Sequence, residues 1–194
     1  LNRIDIEEIL ISRGVVDALD HSSPKFAIGG KLGIDCTGEE VKELGITQIS
    51  DDELLKKMQD ISSEVTQVKQ YFIHTKNPIT VIKVNKTRSQ RELFEDLKPV
   101  FTHIKVLIFV DDLKNDLDNT YMLIWRVVNN IDSNRDLYFD KNTIALDATN
   151  KNALDNYTRT WPDDVDCTRE VLVSLQQRGI IDLDEKFEKE FQLT

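Results

Sequence analysis

Thr143-Ile144-Ala145-Leu146-Asp147-Ala148-Thr149 restates, in residue type and order, a stretch near the start of the chain, Lys31-Leu32-Gly33-Ile34-Asp35-Cys36-Thr37. The likeness extends outward from both. Asn2-Arg3-Ile4-Asp5 leads into the apolar run Ile9-Leu10-Ile11 ahead of the first stretch, and Asn129-Asn130-Ile131-Asp132 leads into Leu137-Tyr138-Phe139 ahead of the second. Each copy reads as strand, loop, short strand and Asp-x-Thr turn, the mark of a duplicated α/β unit. The loop is long in the first copy, whereas only Asp140 to Asn142 separate the strands of the second. No strands and helices precede the motif in the first copy as they do in the second, and the sequence starts at Leu1, so a C-terminal part of a longer polypeptide is expected.

The composition narrows the function classes. With 194 residues, 40% of them hydrophobic, the chain can bury the core of one domain, or of one domain plus a fragment of another. Lys and Arg number 25 against 35 Asp and Glu, a formal charge of -10, which repels phosphate backbones and anionic membranes. Nucleic acid is therefore not an expected partner. Cys36 and Cys167 stand far apart without a C-x-x-C partner, which argues against a disulfide framework or structural zinc and for a reduced cytoplasm. The longest apolar run, Val106 to Val110, falls far short of the roughly 20 residues of a membrane helix. A soluble chain without a signal peptide is expected.

Local patterns supply the elements. Ile9 to Ser12 reads as a short strand ending at Arg13-Gly14, followed by a loop from Val15 to Gly30. Thr37-x-x-Glu40 is a capping box for a helix that stops near Gly45, and Ser50 caps a helix whose Leu54, Leu55, Met58 and Ile61 share a face. Ser62 to Gln67 reads as a connector. Alternation from Val68, split by Asn77-Pro78, predicts two strands ending at Val84. A helix is expected over Ser89 to Val100, a central strand covered on both faces over Ile104 to Val110, and a helix over Thr120 to Asn130. Asn150 to Asp166 is irregular, and two helices close the chain, about Thr168 to Arg178 and Leu183 to Phe191.

Several constellations carry possible chemistry. Val110-Asp111-Asp112 sets two carboxylates at the C-terminal end of an apolar strand, the edge of an α/β sheet where ligands bind. With Asp147 they would form a Mg²⁺ or small-anion site, Mg²⁺ needing oxygen ligands from separate elements. The other reading is that they favour the positive N-terminus of the following helix. Gly29-Gly30 before Lys31 raises a phosphate-gripping loop, yet no Gly-Lys-Ser/Thr opens a long helix there. Lys31 is either an anion contact or a solvated charge. His21, His74 and His103 lie on separate elements without metal-ligand spacing, and only His21 has acidic company, in Asp17 and Asp20. Tyr157, Arg159, Trp161 and Pro162 form an aromatic loop, either a partner contact or a plug over the sheet.

Read together, Lys105-Val106-Leu107-Ile108-Phe109-Val110-Asp111-Asp112, Ile124-Trp125-Arg126, Asn134-Arg135-Asp136 and Leu146-Asp147-Ala148-Thr149-Asn150-Lys151 resemble the C-terminal domain of the UbiD-type decarboxylases, the 3-octaprenyl-4-hydroxybenzoate carboxy-lyase family. Arg13 to Ser23 with Gly30 to Thr37 resembles the end of the same domain, and the double occurrence is similar to the longer menaquinone-pathway members. The resemblance implies decarboxylation of an aromatic or α,β-unsaturated acid on prenylated FMN, with a Glu-Arg-Glu set and a metal-phosphate site on an N-terminal domain outside this chain. It also implies that the loop after the first strand approaches the substrate side of the flavin. Here that loop is Arg13 to His21, with Arg13, Gly14, Val15, Val16, Asp17, Leu19 and His21 as its contact residues.

The expected architecture is α/β, a mostly parallel sheet flanked by helices with a partial second copy of the unit at the N-terminus. Residues 1–49 would end a first unit, 50–67 would be a helix and connector, and 68–194 a second unit with C-terminal helices. The resemblance implies a C-terminal lid and oligomerisation region, inactive alone, of a prenylated-FMN-dependent aromatic acid (de)carboxylase of quinone biosynthesis. Its implied partners are the N-terminal flavin-binding domain of the same polypeptide and further copies of itself. No cofactor is expected on this stretch; prenylated FMN and a divalent metal are implied for the whole enzyme. The alternatives are a stand-alone regulatory module with a site at Asp111, Asp112 and Asp147, and a structural interaction domain.

Overall fold

Both echoing stretches fold as antiparallel hairpins with the same register. In the computed structural model, which describes residues 9–34, 46–75, 78–164 and 167–191, β1 (Ile9–Val16) pairs with β2 (Ile28–Ile34) so that Ile9 faces Ile34 and Ile11 faces Leu32. The later hairpin sets Leu137 against Leu146 and Phe139 against Ile144, the same positions under the sequence match. The expected helix after Thr37, and Asn2 to Asp5, lie outside the described residues.

β1 is longer than expected. The run does not end at Arg13-Gly14, because Gly14 takes a φ of 67°, left-handed backbone that costs glycine little, and the register shifts between Ser12 and Val15 as a bulge. Arg13 to Val16 is therefore strand rather than loop, and β2 starts at Ile28 rather than Lys31.

Helix α1 (Asp51–Gln59) starts where Ser50 accepts the Glu53 N–H at 3.2 Å. It is followed by β3 (Val65–Tyr71), which begins inside the expected connector, and β4 (Ile79–Val84). The helix expected over Ser89 to Val100 divides into α2 (Gln90–Asp96) and a 3-10 helix (Lys98–His103). Pro99 has no N–H to continue the α-helical ladder. Then come β5 (Val106–Asp111), α3 (Thr120–Asn130), β6 (Leu137–Asp140), β7 (Thr143–Asp147), α4 (Arg169–Gln177) and α5 (Glu185–Phe191).

The main sheet runs β3-β4-β5-β7-β6, parallel across β4, β5 and β7 and antiparallel at both edges. Alternation sends Ile82 and Phe109 to one face, under Leu54 and Met58 of α1 and Leu93 and Phe94 of α2. Val81 and Val110 go to the other, under Leu123 and Val127 of α3. Residues 50–67 thus share the core of the second unit rather than linking to it, since Leu54 and Met58 are fully buried there. Among the described residues no helix is long and apolar enough to cross a membrane.

Candidate functional site

The β1–β2 hairpin and its connecting loop sit against the turn that follows α3, and a buried acid anchors them. Asp132 is fully buried, and its Oδ2 accepts the Gly30 N–H at 3.0 Å while Oδ1 accepts the Asn134 N–H at 2.9 Å. A Cβ on Gly30 would stand 2.6 Å from Ser133 Oγ, and one on Gly29 would stand 2.5 Å from Asp20 Oδ2. The glycine pair thus permits close packing of strand on turn. It is no cradle for a phosphate of a flavin, because an anion there would meet the carboxylates of Asp132 and Asp20.

The loop from Asp17 to Lys25 is held from within and from the second unit. Asp17 accepts from Leu19 N–H (3.2 Å) and Asp20 from Ser22 N–H (2.9 Å), turns that short acids make with their own backbone. Tyr157 Oη donates to His21 O at 2.6 Å, Arg159 Nη1 to Ser23 O at 2.8 Å, and Ser22 Oγ to Ile131 O at 3.0 Å. Trp161 stacks edge-on against His21, with ring centres 4.8 Å apart. The aromatic loop therefore has an intramolecular partner: it clamps the loop of the first copy. Two of these contacts, from Tyr157 and Arg159, reach the backbone carbonyls of His21 and Ser23, so they hold the loop whatever side chains those two residues carry.

The apolar side chains where the loop leaves β1 point away from support. Val16 is 81% exposed and Leu19 93% exposed, Arg13 is exposed, and Val15 is half-buried. Lys31 is engaged by Asp17, whose carboxyl is held below its usual range by that hydrogen bond. A cleft of about 450 Å³ opens between this loop and the end of α3, lined by Asp17, Leu19, His21, Lys31, Val128 and Ser133.

Behind Asp132 the anchor continues as a buried ionic chain. Asp136 Oδ2 accepts the Asp132 N–H (2.7 Å) and the carboxylate takes two bonds of 2.7 Å from Arg135. Lys151, with no side-chain exposure, reaches Asp147 Oδ1 at 3.2 Å and the Asp147 and Thr149 carbonyls at 2.8 and 2.5 Å. Burial pushes the Asp136 carboxyl up despite Lys151 and Arg135. For Asp147 burial works the same way, but Lys151, Lys86 and the Thr149 hydrogen bonds outweigh it and hold the group low. Lys86 closes the chain on Thr149 Oγ1 (2.9 Å) and Asp155 (2.6 Å).

The three acids of the alternative reading do not converge. Asp111 accepts the Asn150 N–H at 2.8 Å, and burial raises its carboxyl. Asp112 accepts from Thr66 Oγ1 at 2.5 Å, while Asp147 belongs to Lys151 and Thr149. Among the described residues no group of three or more His, Cys, Asp or Glu side chains is placed to hold a metal ion. A second cleft, about 370 Å³, lies at these strand ends between Lys86, Asp111, Asn115, Arg126 and Asn150.

Residues 47–160 match the family model of the 3-octaprenyl-4-hydroxybenzoate carboxy-lyase C-terminal domain. Uncharacterized proteins of Helicobacter pylori strains J99 and 26695 are each 43% identical over 195 residues, aligned with 100% of this chain and 32% of their own length. The chain thus spans about a third of these curated relatives. Among solved structures it is similar to an evolved dimeric form of the UbiD-class enzyme HmfF from Pelotomaculum thermopropionicum in complex with prFMN (TM-score 0.47, 18% identity, 57% of this chain and 26% of that chain). It is also similar to Sedimentibacter hydroxybenzoicus vanillic acid decarboxylase in open form (TM-score 0.47, 16% identity, 66% of this chain and 31% of that chain).

Proposed function

The chain belongs to the 3-octaprenyl-4-hydroxybenzoate carboxy-lyase C-terminal domain family, and on that premise we propose that it is the C-terminal lid and assembly region of a prenylated-FMN-dependent aromatic acid (de)carboxylase. The observation that carries the reading is a loop whose backbone is clamped while its apolar Leu19, and Val16 at the end of β1 beside it, are bare. Tyr157 and Arg159 fix the loop at His21 and Ser23, yet Val16 and Leu19 are left in solvent at 81% and 93% exposure. Exposed apolar side chains on a rigid support suit a surface that another domain or an apolar acid covers.

In this reading the flavin, held by the N-terminal domain, supplies the decarboxylation chemistry. The residues here exclude water: Val15, Val16 and Leu19 close over the acid, and the Asp17–Lys31 pair keeps the rim polar without leaving net charge facing a carboxylate. Assembly fits α3, where Tyr121, Ile124 and Val128 form an exposed apolar stripe at helical spacing, 56%, 61% and 61% exposed. Quinone biosynthesis in the cytoplasm is the setting we assign.

The test uses the complete enzyme and two aromatic acids that it decarboxylates. Val15→Phe or Val16→Phe should change the ratio of kcat/KM values on the two acids, because steric fit at a closed site alters transition-state positioning. Asn142→Phe, in the short turn of the second hairpin, should leave the ratio unchanged. A lower melting temperature with the same ratio in the Val15 and Val16 variants would contradict the lid assignment.

A further inference from the structure

We infer that the outer edge of β2 is the pairing site for one more strand, parallel to it and supplied by residues of the same polypeptide that precede this chain. The inference rests on the hairpin repeat and is independent of the decarboxylase reading. In the second copy, β7 carries β6 on one edge and β5 on the other, with Val106 opposite Ile144 and Ile108 opposite Leu146. The Ile144 N–H, directed away from β6, donates to Lys105 O at 3.0 Å. Because the hairpins share their register, Leu32 and Ile34 stand where Ile144 and Leu146 stand.

The direction of these groups has a second support on β2 itself. Gly30, two residues before Leu32, sends its N–H outward to Asp132, and groups two apart along a strand face the same edge. Leu32 and Ile34 therefore present their N–H groups away from β1. Among the described residues β1 and β2 form a sheet of two strands, so beyond the Gly30–Asp132 bond no described strand pairs with that edge. A two-stranded hairpin is marginal alone, and an open row of backbone groups is a template for pairing.

The occupant follows from the repeat. It is an apolar, β-branched strand of the kind seen in Val106–Val110, running parallel to β2 and joined to β1 by a crossover helix as β5 is joined to β6 by α3. The relatives leave room for such a strand in a longer polypeptide, since they align with the whole of this chain over only 32% of their length.

Amide exchange read by NMR decides the point, comparing this chain with the polypeptide encoded by the complete reading frame. The Leu32 and Ile34 amides should exchange on the order of a hundredfold more slowly in the longer polypeptide. Equal rates in both would overturn the inference. So would protection in the chain alone that grows with its concentration, which would make a second copy the occupant. Leu32→Pro removes an outward N–H and leaves those facing β1 intact, so it should lower the melting temperature of the long polypeptide by several degrees and leave this chain nearly unchanged. Lys31→Pro, at a position that faces Ser12 of β1, should lower both. An equal loss in both proteins from Leu32→Pro would count against the open edge.

Discussion

The carboxylate of Asp132 accepts the backbone N–H of Gly30 at 3.0 Å, across 102 residues of sequence, and this bond ties the first copy of the repeat to the second. Both ends are buried, so neither finds water if the other is removed. Asp132→Ala should lower stability by about 1–3 kcal/mol, since it strands the buried Gly30 N–H. Denaturant unfolding gives the total. Amide exchange should show the excess opening confined to the β1–β2 hairpin; a uniform change across the main sheet would mean that the bond is not a specific anchor.

Lys151 holds together two carboxylates that burial would otherwise expel. Lys151→Met keeps much of the volume but leaves Asp147 and Asp136 without their shared cation, and should cost about 3–5 kcal/mol. The double variant Lys151→Met with Asp147→Asn should recover part of that loss. A double variant no more stable than Lys151→Met alone would show that the carboxylate is not what makes the single change costly.

Glu64 contributes to the acid limb of the stability curve. Burial opposes its ionisation, but the hydroxyl and N–H of Thr87 and the Arg88 guanidinium, Nε at 2.7 Å, hold its carboxyl below the ordinary value. A depressed carboxyl stabilises the fold above its unfolded pKa, roughly 4.3, and that contribution disappears as pH falls through the lower folded value. Glu64→Gln should therefore be less stable than the parent by about 1–3 kcal/mol at pH 7, with the gap closing in acid. Melting temperatures across pH 2 to 7, a range set by these carboxylate values, check it; a gap independent of pH would refute the assignment.

The sequence was most legible where side-chain period and burial agree. Val106 to Val110 announced a strand covered on both faces, Ser50 and Gly179 marked helix ends, and the echo of Lys31–Ile34 in Thr143–Leu146 carried through to identical hairpin registers. Gly14 misled because it has two local meanings and made a bulge inside a strand rather than an end, while Pro99 lay unread inside an expected helix that it divides into two short pieces. The anchor was hidden for a different reason. Asp132, Asp136 and Lys151 look like solvated charges in a hydropathy reading, and their burial depends on partners distant in sequence. Asn134-Arg135-Asp136 stood out only through family resemblance, and Asp147 was read as a turn residue or a ligand rather than as part of the anchor. The clamp of Tyr157 and Arg159 on His21 and Ser23 had no local signal beyond an aromatic cluster.

If the clamped loop between β1 and β2 is a surface that the rest of the enzyme covers, as we propose, thiol labelling at Leu19 reports it. Leu19→Cys would be labelled with a maleimide in this chain and in the complete enzyme, with the site resolved by mass spectrometry from Cys36 and Cys167. Leu154→Cys, at a 43% exposed position of the second unit, serves as the reference. Leu19→Cys, at 93% exposure, should label fast in this chain and at least about tenfold more slowly in the complete enzyme, with the reference little changed. Equal labelling of Leu19→Cys in the two proteins would contradict it.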